Sequence, residues 1–283
     1  MWNHWVARAS TPYEPFRDFK SARWAWTGLT ALFPEMIATV LMPNHLHLIL
    51  PSDVPTPRVH RKLGGFLGAV SVQQQQEKLW QQIPSPSAIP DRAHLRRQIR
   101  YLALNPCRKG LCADPLEWYW STYRDVMGAT ADGEHRTGVL TELLRMPLRD
   151  FRVRFHSYVS GDPSVKVEGT APPKAAIPKI WAEESIGEIL AAAAGALRTT
   201  PVDVQKQGPL RPLFIHLAYR HGWRQPTLLA EICGVSPRAI QFLLSQPPPS
   251  GIHAADLCLG DRRLRSEKPF ARFAGTGRAT QMR

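Results

Sequence analysis

The clearest alternation of apolar and polar positions lies in the first fifth of the chain. An apolar, β-branched run at 36–41 is followed by Pro43 and Asn44 and then by a second apolar run at 45–50. Two such runs around a turn dipeptide predict a β-hairpin. The apolar residues Trp5–Ala7 predict a short strand that precedes it.

Helical spacing flanks this hairpin on both sides. Apolar residues at loosely helical intervals predict a helix over 17–33. Asp91 is a typical N-cap for a second helix, which we expect to run from Arg92 to Leu104 and to be ended by Pro106. A small antiparallel sheet flanked by helices is an α+β fold.

The second half of the chain has a different pattern. Gly- and Pro-rich segments predict a linker over 162–180 between a first domain, 1–161, and a helical domain, 181–246. Residues 247–283 are Pro-rich and then basic, and we expect them to form a flexible tail.

Composition adds a preference for polyanions. Lys and Arg number 36 against 23 acidic residues, a formal net charge of +13. Such a charge favours nucleic acid as partner, although a merely basic protein has the same composition. Four cysteines, without zinc-type spacing, predict reduced thiols and no disulfide scaffold. With no apolar window long enough for a bilayer, we expect a cytoplasmic, nucleoid-associated protein without a membrane partner.

His45 and His47 are the first candidates for chemistry. Because side chains alternate along a strand, both imidazoles share one face, which we expect to be exposed, while Leu46 and Leu48 point to the core. Two neutral imidazoles can hold a divalent metal if a third group approaches from another element. Two polar residues on a solvated strand face produce the same pattern, so both interpretations stay open.

Tyr101 and Asn105 are the second pair of candidates. They are four residues apart on the predicted helix and therefore share one of its faces. A tyrosine hydroxyl can attack a phosphate that a metal ion has polarised. The alternative is that Tyr101 packs in the core and Asn105 caps the helix.

Several motifs together resemble a known family, the REP-associated tyrosine transposases, a single-tyrosine branch of the HUH endonucleases. The similarity covers most of residues 3–160. It is carried, in this order, by NHWVAR at 3–8, LMPNHLHL at 41–48, YLALNPCRKGL at 101–111 and WYWSTY at 118–123.

This resemblance implies a ferredoxin-like domain that acts on single-stranded or hairpin DNA. It implies that His45, His47 and Asn105 bind Mg²⁺ or Mn²⁺ and that Tyr101 is the nucleophile. The tyrosine would form a 5′-phosphotyrosine link and release a 3′-OH, in a monomer or a homodimer. The competing hypothesis is a domesticated, non-cleaving DNA-binding or regulatory protein.

The chain departs from the family between the hairpin and the Tyr101 helix. The usual Arg-rich stretch is missing, and Lys62–Trp80 stands in its place. We predict that Arg96 and Arg100, on the Tyr101 helix, contact DNA. Tyr119 and Tyr123 are also tyrosines, but their neighbours Trp118 and Trp120 indicate packing.

Residues 229–243 have the spacing of a helix-turn-helix. Ser236 is expected to cap the second helix, and Pro237 to occupy its first turn. Arg238 and Gln241 would then face outward and reach phosphates or base edges. The segment resembles the helical DNA-binding domain of the chromosomal replication initiator. A helical hairpin with no role in DNA binding is the alternative.

Overall fold

The computed structural model describes residues 1–145, 151–161, 182 and 184–266, which cluster into two compact units. Unit 1 comprises Met1–Tyr123 and the described part of 138–168. Unit 2 comprises Arg124–Thr137 and the described part of 169–283. The predicted linker, 162–180, and the basic tail beyond Ser266 lie outside the described residues.

Unit 1 is built on a four-stranded antiparallel sheet. Its strands are β1 (Trp2–Arg8), β2 (Ala38–Met42), β3 (His45–Pro51) and β4 (Ser87–Ile89), in the spatial order β2-β3-β1-β4. Helix α1 (Phe19–Leu32) connects β1 to β2, and α2 (Thr56–Gln74) connects β3 to β4. This β-α-β-β-α-β order is the ferredoxin-like arrangement, so the predicted α+β fold is confirmed.

The predicted hairpin and first helix form as the sequence indicates. Met42 and His45 are paired on either side of the Pro43–Asn44 turn. Helix α1 begins after Asp18, whose carboxylate accepts a hydrogen bond from the Ser21 N–H at 2.9 Å. Capping satisfies one of the free N–H groups of the first turn, which fixes where the helix starts.

Helix α3 (Arg92–Arg108) follows the sheet and is longer than predicted. Asp91 caps it as expected, accepting from the His94 N–H at 2.7 Å. The expected stop at Pro106 is wrong, because the helix continues to Arg108. Proline removes one backbone hydrogen bond, but the buried side chains of Leu102 and Leu104 hold this end of the helix against the core.

The aromatic segment 118–123 forms hydrogen bonds along the outer edge of β2, an edge strand of the sheet. The Leu41 N–H donates to the Trp120 carbonyl at 2.8 Å, and the Trp118 indole N–H donates to the Leu41 carbonyl at 3.0 Å. Tyr119 and Tyr123 are buried, as predicted. Short helices α4 (Thr122–Val126), α5 (Glu134–Leu144) and α6 (Phe151–Ser160) follow.

Unit 2 is helical. It contains α7 (Ile186–Ala196), α8 (Leu210–Arg220), α9 (Pro226–Cys233), α10 (Pro237–Ser245) and α11 (Ile252–Gly260). Helix α11 lies within the segment that we expected to be a flexible tail. Prolines 247–249 interrupt the chain, but the apolar side chains after them are buried, and α11 packs against α7 and α8.

Residues 124–137 also differ from the predicted division, because they pack in unit 2 and not with the first 123 residues. The buried Arg124 guanidinium donates to the Leu264 carbonyl at 2.6 Å. The neighbouring Asp125 carboxylate pairs with Arg198 at 2.5 Å. Such contacts between buried charged side chains do not change the spacing of apolar residues, so the sequence pattern does not reveal them.

Over the described ranges, no helix is by itself both long and apolar enough to cross a membrane. Helices α9 and α10 meet the length and composition criteria only as a pair, and they are bent by 104° with respect to each other.

Candidate active site

Three histidines gather on one face of the unit 1 sheet. His45 and His47 lie on β3, and the register of β1 against β3 brings His4 onto the same face. The His4 and His47 rings stack with centroids 5.1 Å apart, and His4 Nε2 lies 3.0 Å from His47 Nδ1. The rings of His45 and His47 are 4.9 Å apart. We call these three residues the histidine cluster.

The face that carries the histidine cluster is covered, and the prediction that it is exposed is wrong. His45 and His47 are each only 4% exposed. Helix α3 packs over this region of the sheet and directs the buried Asn105 side chain at His47, with Asn105 Nδ2 3.1 Å from His47 Nε2. Strand alternation shows which side chains share a face, but it does not show whether another element covers that face.

Burial keeps the imidazoles of this cluster neutral. Desolvation lowers the pKa of His45 to about 4, and the positive charges of Arg8 and Lys109 add to the effect. Desolvation also lowers the pKa of His47 to about 2, with further contributions from the neighbouring histidines and Arg8. Burial lowers the pKa of His4 as well. Neutral imidazole is the form that binds metals, so no proton has to be displaced at neutral pH.

Tyr101 stands at the exposed border of the histidine cluster. Its side chain is 40% exposed, and its ring lies perpendicular to that of His47 with centroids 5.7 Å apart. Neither alternative interpretation of the Tyr101–Asn105 pair holds, since Tyr101 is not in the core and Asn105 lies within α3 and not at its cap. The phenol and the amide reach the histidines from one helix face, as the spacing predicts.

Three exposed cations surround this tyrosine and the histidine cluster. The Arg108 guanidinium lies 5.5 Å from the centre of the Tyr101 ring. Arg8, at the end of β1, and Lys109, after α3, act electrostatically on His45. Sequence reasoning missed Arg8 and His4 as parts of this site. His4 and Arg8 are an even number of positions apart in β1, and this spacing is the signal that both lie on the same face of the strand.

The donor types around His47, imidazole nitrogen and an amide oxygen, are those that divalent cations accept, with Asn105 as the third residue. Among the described residues, no group of three His, Cys, Asp or Glu side chains is placed to hold a metal ion. Asn105 Nδ2 lies 3.1 Å from His47 Nε2, a hydrogen-bond distance that places the amide directly against this ring. A half-turn of the amide presents Oδ1 at the same place. Asn44 Oδ1 holds His45 Nδ1 at 2.7 Å, which leaves Nε2 of that ring as a ligand.

Arg96 and Arg100, the predicted DNA contacts on α3, bind backbone carbonyls of unit 1. The Arg96 guanidinium donates to the Leu144 carbonyl. Arg100 Nε donates to the Val159 carbonyl at 3.4 Å, and its guanidinium lies 5.0 Å from the centre of the Tyr158 ring. Both side chains are partly buried, and their role in DNA binding stays a prediction.

The predicted cap geometry of unit 2 is present at the junction of α9 and α10. Gly234 ends α9 with φ of +63°, a left-handed conformation that glycine adopts without strain. Ser236 caps α10 by accepting a hydrogen bond from the Ala239 N–H at 3.3 Å, and Pro237 is the first residue of that helix.

Among the described residues, one face of α10 is exposed. Arg238 and Gln241 are exposed, as predicted, and the neighbouring Phe242 is 64% exposed. We call these three residues the α10 surface. It combines a cation, an amide and an apolar ring, which are the side-chain types that contact phosphates, base edges and thymine methyl groups.

No family model matches this chain, and no curated protein matches it. A solved structure described as a REP-associated tyrosine transposase bound to a REP hairpin is similar to it at 20% sequence identity, over 52% of this chain and 82% of that chain, with a TM-score of 0.37. That TM-score is too low to establish a common fold, so the interpretation of the site rests on its own geometry.

Proposed function

We propose that unit 1 is a metal-dependent, single-stranded DNA endonuclease and strand transferase in which Tyr101 is the nucleophile. The observation that carries the proposal is the position of the Tyr101 ring, exposed to solvent on one side and against His47 on the other. A nucleophilic tyrosine needs access to its substrate and a nearby centre that stabilises charge on phosphate. The exposed Tyr101 ring beside His47 supports the proposal on both counts.

The reaction is a transesterification. The Tyr101 oxygen attacks the phosphorus atom of a DNA phosphodiester, the bond from phosphorus to the 3′-oxygen breaks, and the phenolic proton passes to water. The released 3′-oxygen takes up a proton and becomes a 3′-OH. Because the phosphotyrosine link keeps the energy of the ester bond, a 3′-OH can attack it and reverse the step. Strand transfer therefore needs no nucleotide hydrolysis.

His45, His47 and Asn105 would hold Mg²⁺ or Mn²⁺ in this proposal. Such an ion would neutralise charge that develops on the oxygens of the scissile phosphate. The support is the neutral state of both imidazoles and the 3.1 Å approach of the Asn105 amide to His47. The Asn44 contact to His45 fixes which nitrogen of that ring faces the site.

The exposed cations support DNA as the substrate. Arg108 ends the helix that carries Tyr101 and Lys109 follows it, while Arg8 on β1 is paired with His45 on the adjacent strand β3. A phosphodiester backbone that passes Tyr101 would meet positive charge from both β1 and the end of α3. The resemblance of the motifs supports single-stranded or hairpin DNA within this class.

The α10 surface would provide a second DNA contact, independent of cleavage. Its exposed Arg238 and Gln241 lie in the first half of α10, which is the part of a recognition helix that approaches base edges. The predicted hairpin substrate contains a duplex stem as well as a single strand, and this surface would bind the stem.

The test is covalent capture of labelled hairpin DNA with a single-stranded flank, in the presence of Mn²⁺. We expect wild-type protein to form a denaturation-resistant adduct, and Tyr101→Phe to form none while its DNA affinity is retained. Tyr219→Phe is the matched control, because Tyr219 is 39% exposed and also lies under a guanidinium, 4.5 Å from Arg224. DNA binding without any adduct in wild type would instead support the non-cleaving DNA-binding protein.

A further inference from the structure

Two cysteines at the end of α3 lie side by side. The sulfur atoms of Cys107 and Cys112 are 3.5 Å apart. Gly110 lies between them with φ of +67°, and this turn is closed by hydrogen bonds from the Gly110 N–H to the Cys107 carbonyl and from the Leu111 N–H to the Pro106 carbonyl. The turn that ends α3 therefore returns the chain so that the two thiols meet.

We propose that Cys107 and Cys112 are a modification site that forms a reversible intramolecular disulfide by exchange with low-molecular-weight disulfides such as oxidised glutathione. A Cys107 sulfur attacks one glutathione sulfur, the glutathione S–S bond breaks, and one glutathione thiol leaves. The Cys112 sulfur then attacks the Cys107 sulfur and releases the second thiol. The two protein thiols lose two electrons and two protons, and oxidised glutathione takes them up.

The geometry suits each of these steps. Cys107 is partly exposed, so a small disulfide can reach it, whereas Cys112 is buried and lies beside Cys107. A bond of about 2.05 Å requires the sulfurs to approach by ~1.5 Å, which rotation of the two side chains can supply. The hydrogen bond with Cys107 and burial both raise the pKa of Cys112, which favours Cys107 as the thiol that reacts first.

The other two cysteines provide an internal contrast. Cys233 and Cys258 are fully buried in unit 2, and burial raises the pKa of each to about 11. Buried, protonated thiols react slowly with disulfides. Exchange should therefore be confined to the Cys107–Cys112 pair.

A disulfide at this position would also act on the candidate active site. The ring that it closes contains Arg108 and Lys109, the two cations that lie beside Tyr101 and His45. A closed ring restricts the positions that these side chains can take. This consequence, unlike the disulfide itself, rests on the proposed function.

The experiment treats reduced, full-length protein with oxidised glutathione and identifies the products by mass spectrometry after digestion. Trypsin cleaves after Arg108 and Lys109, so the Cys107 and Cys112 peptides stay together only if a disulfide joins them. We expect this linked pair, the loss of two hydrogens from the intact mass, and full recovery of both thiols with dithiothreitol. Cys112→Ala should stop at glutathione bound to Cys107, and Cys233→Ala should behave as wild type.

Glutathione that remains on Cys107 of the wild type, disulfides between two molecules, or modification at Cys233 or Cys258 would each overturn the proposal. DNA capture by the oxidised protein tests the consequence separately. We expect adduct formation by the oxidised protein to fall several-fold and to recover on reduction. Reduced Cys112→Ala should form the adduct with the same yield as reduced wild type. If the disulfide forms and adduct yield is unchanged, the site stands and its coupling to the Tyr101 site is wrong.

Discussion

Both units bury histidines, but in opposite electrostatic surroundings. In unit 2, His221 is held by the Asp256 carboxylate at 2.8 Å, and the Arg220 guanidinium reaches the other oxygen of that carboxylate at 3.0 Å. In unit 1, His45 and His47 contact asparagine side chains and other imidazoles. In unit 2 a guanidinium compensates the charge of the Asp256 carboxylate. In unit 1 the side chains hydrogen-bonded to His45 and His47 are uncharged.

This difference separates a structural histidine from a candidate ligand. A buried ion pair needs both of its partners, because removal of one leaves an uncompensated charge. A cluster of neutral imidazoles carries no charge that needs a partner, and neutral imidazole is the form that binds metals. Burial alone therefore does not mark a ligand; His45 and His47 are candidates because, among the described residues, their hydrogen-bond and ring partners are uncharged side chains.

The largest effect is expected from a pair of matched substitutions, His47→Gln and His221→Gln. His47→Gln should lower the yield of covalent DNA adduct by more than the roughly 100-fold typical of groups that only orient a ligand. Its thermal midpoint should fall by less than that of His221→Gln, because no charged group is left without its partner. His221→Gln should keep the adduct and lower the thermal midpoint, because Asp256 loses a partner. Equal adduct yields from the two variants would remove the distinction.

The second effect concerns the strength of the unit 2 network. Asp256→Asn removes the carboxylate that faces both Arg220 and His221, and we expect it to lower the free energy of unfolding by about 3–5 kcal/mol. Lys206→Met, in the same unit, breaks an exposed pair with Asp203 and should cost less than about 1 kcal/mol. Urea denaturation measures both. Similar losses would show that Asp256 does not act as a buried, compensating charge.

The third effect is a dependence of stability on pH that belongs to unit 1. The pKa of His45 is lowered from 6.5 to about 4 in the folded protein, so between these values the unfolded state binds more protons. Stability is therefore full above pH 6.5 and falls as the pH drops toward 4, by at most about 1.4 kcal/mol per pH unit for each such imidazole. Urea denaturation of metal-free protein should give a steeper slope for wild type than for His45→Gln.

A pH series contradicts this prediction if wild type and His45→Gln lose stability in parallel below pH 6.5. His94→Gln is the matched control, since His94 lies in unit 1 but outside the cluster, and it measures what replacement of a histidine by glutamine does by itself.

The smallest effect distinguishes the two proposed DNA surfaces. Arg108→Gln should reduce the dependence of single-strand affinity on salt by ~0.7 in the log–log slope, the value for one lost phosphate contact. Arg238→Gln should reduce the slope for duplex DNA by ~0.9 and leave the single-strand slope unchanged. Titrations by fluorescence anisotropy at several salt concentrations measure these slopes. Equal responses to both DNAs would mean that the two surfaces do not divide the substrate.

Local features of this protein follow directly from its sequence. The hairpin around Pro43–Asn44, the caps at Asp91 and Ser236, and the shared helix face of Tyr101 and Asn105 are all determined by neighbours within a few residues. Backbone sterics, capping and side-chain periodicity act over such distances, so a single sequence contains them. The apolar runs likewise indicate the α+β class.

Only the tertiary structure decides what covers each face and which distant groups meet. His4 reaches His47 because β1 pairs with β3, and the histidine face is buried because α3 lies across it. Residues 124–137 pack in unit 2, where Asp125 pairs with Arg198. The tight turn at Gly110 brings the thiols of Cys107 and Cys112 together. These contacts join side chains through packing and desolvation, whose free energies depend on the complete fold and not on any local pattern.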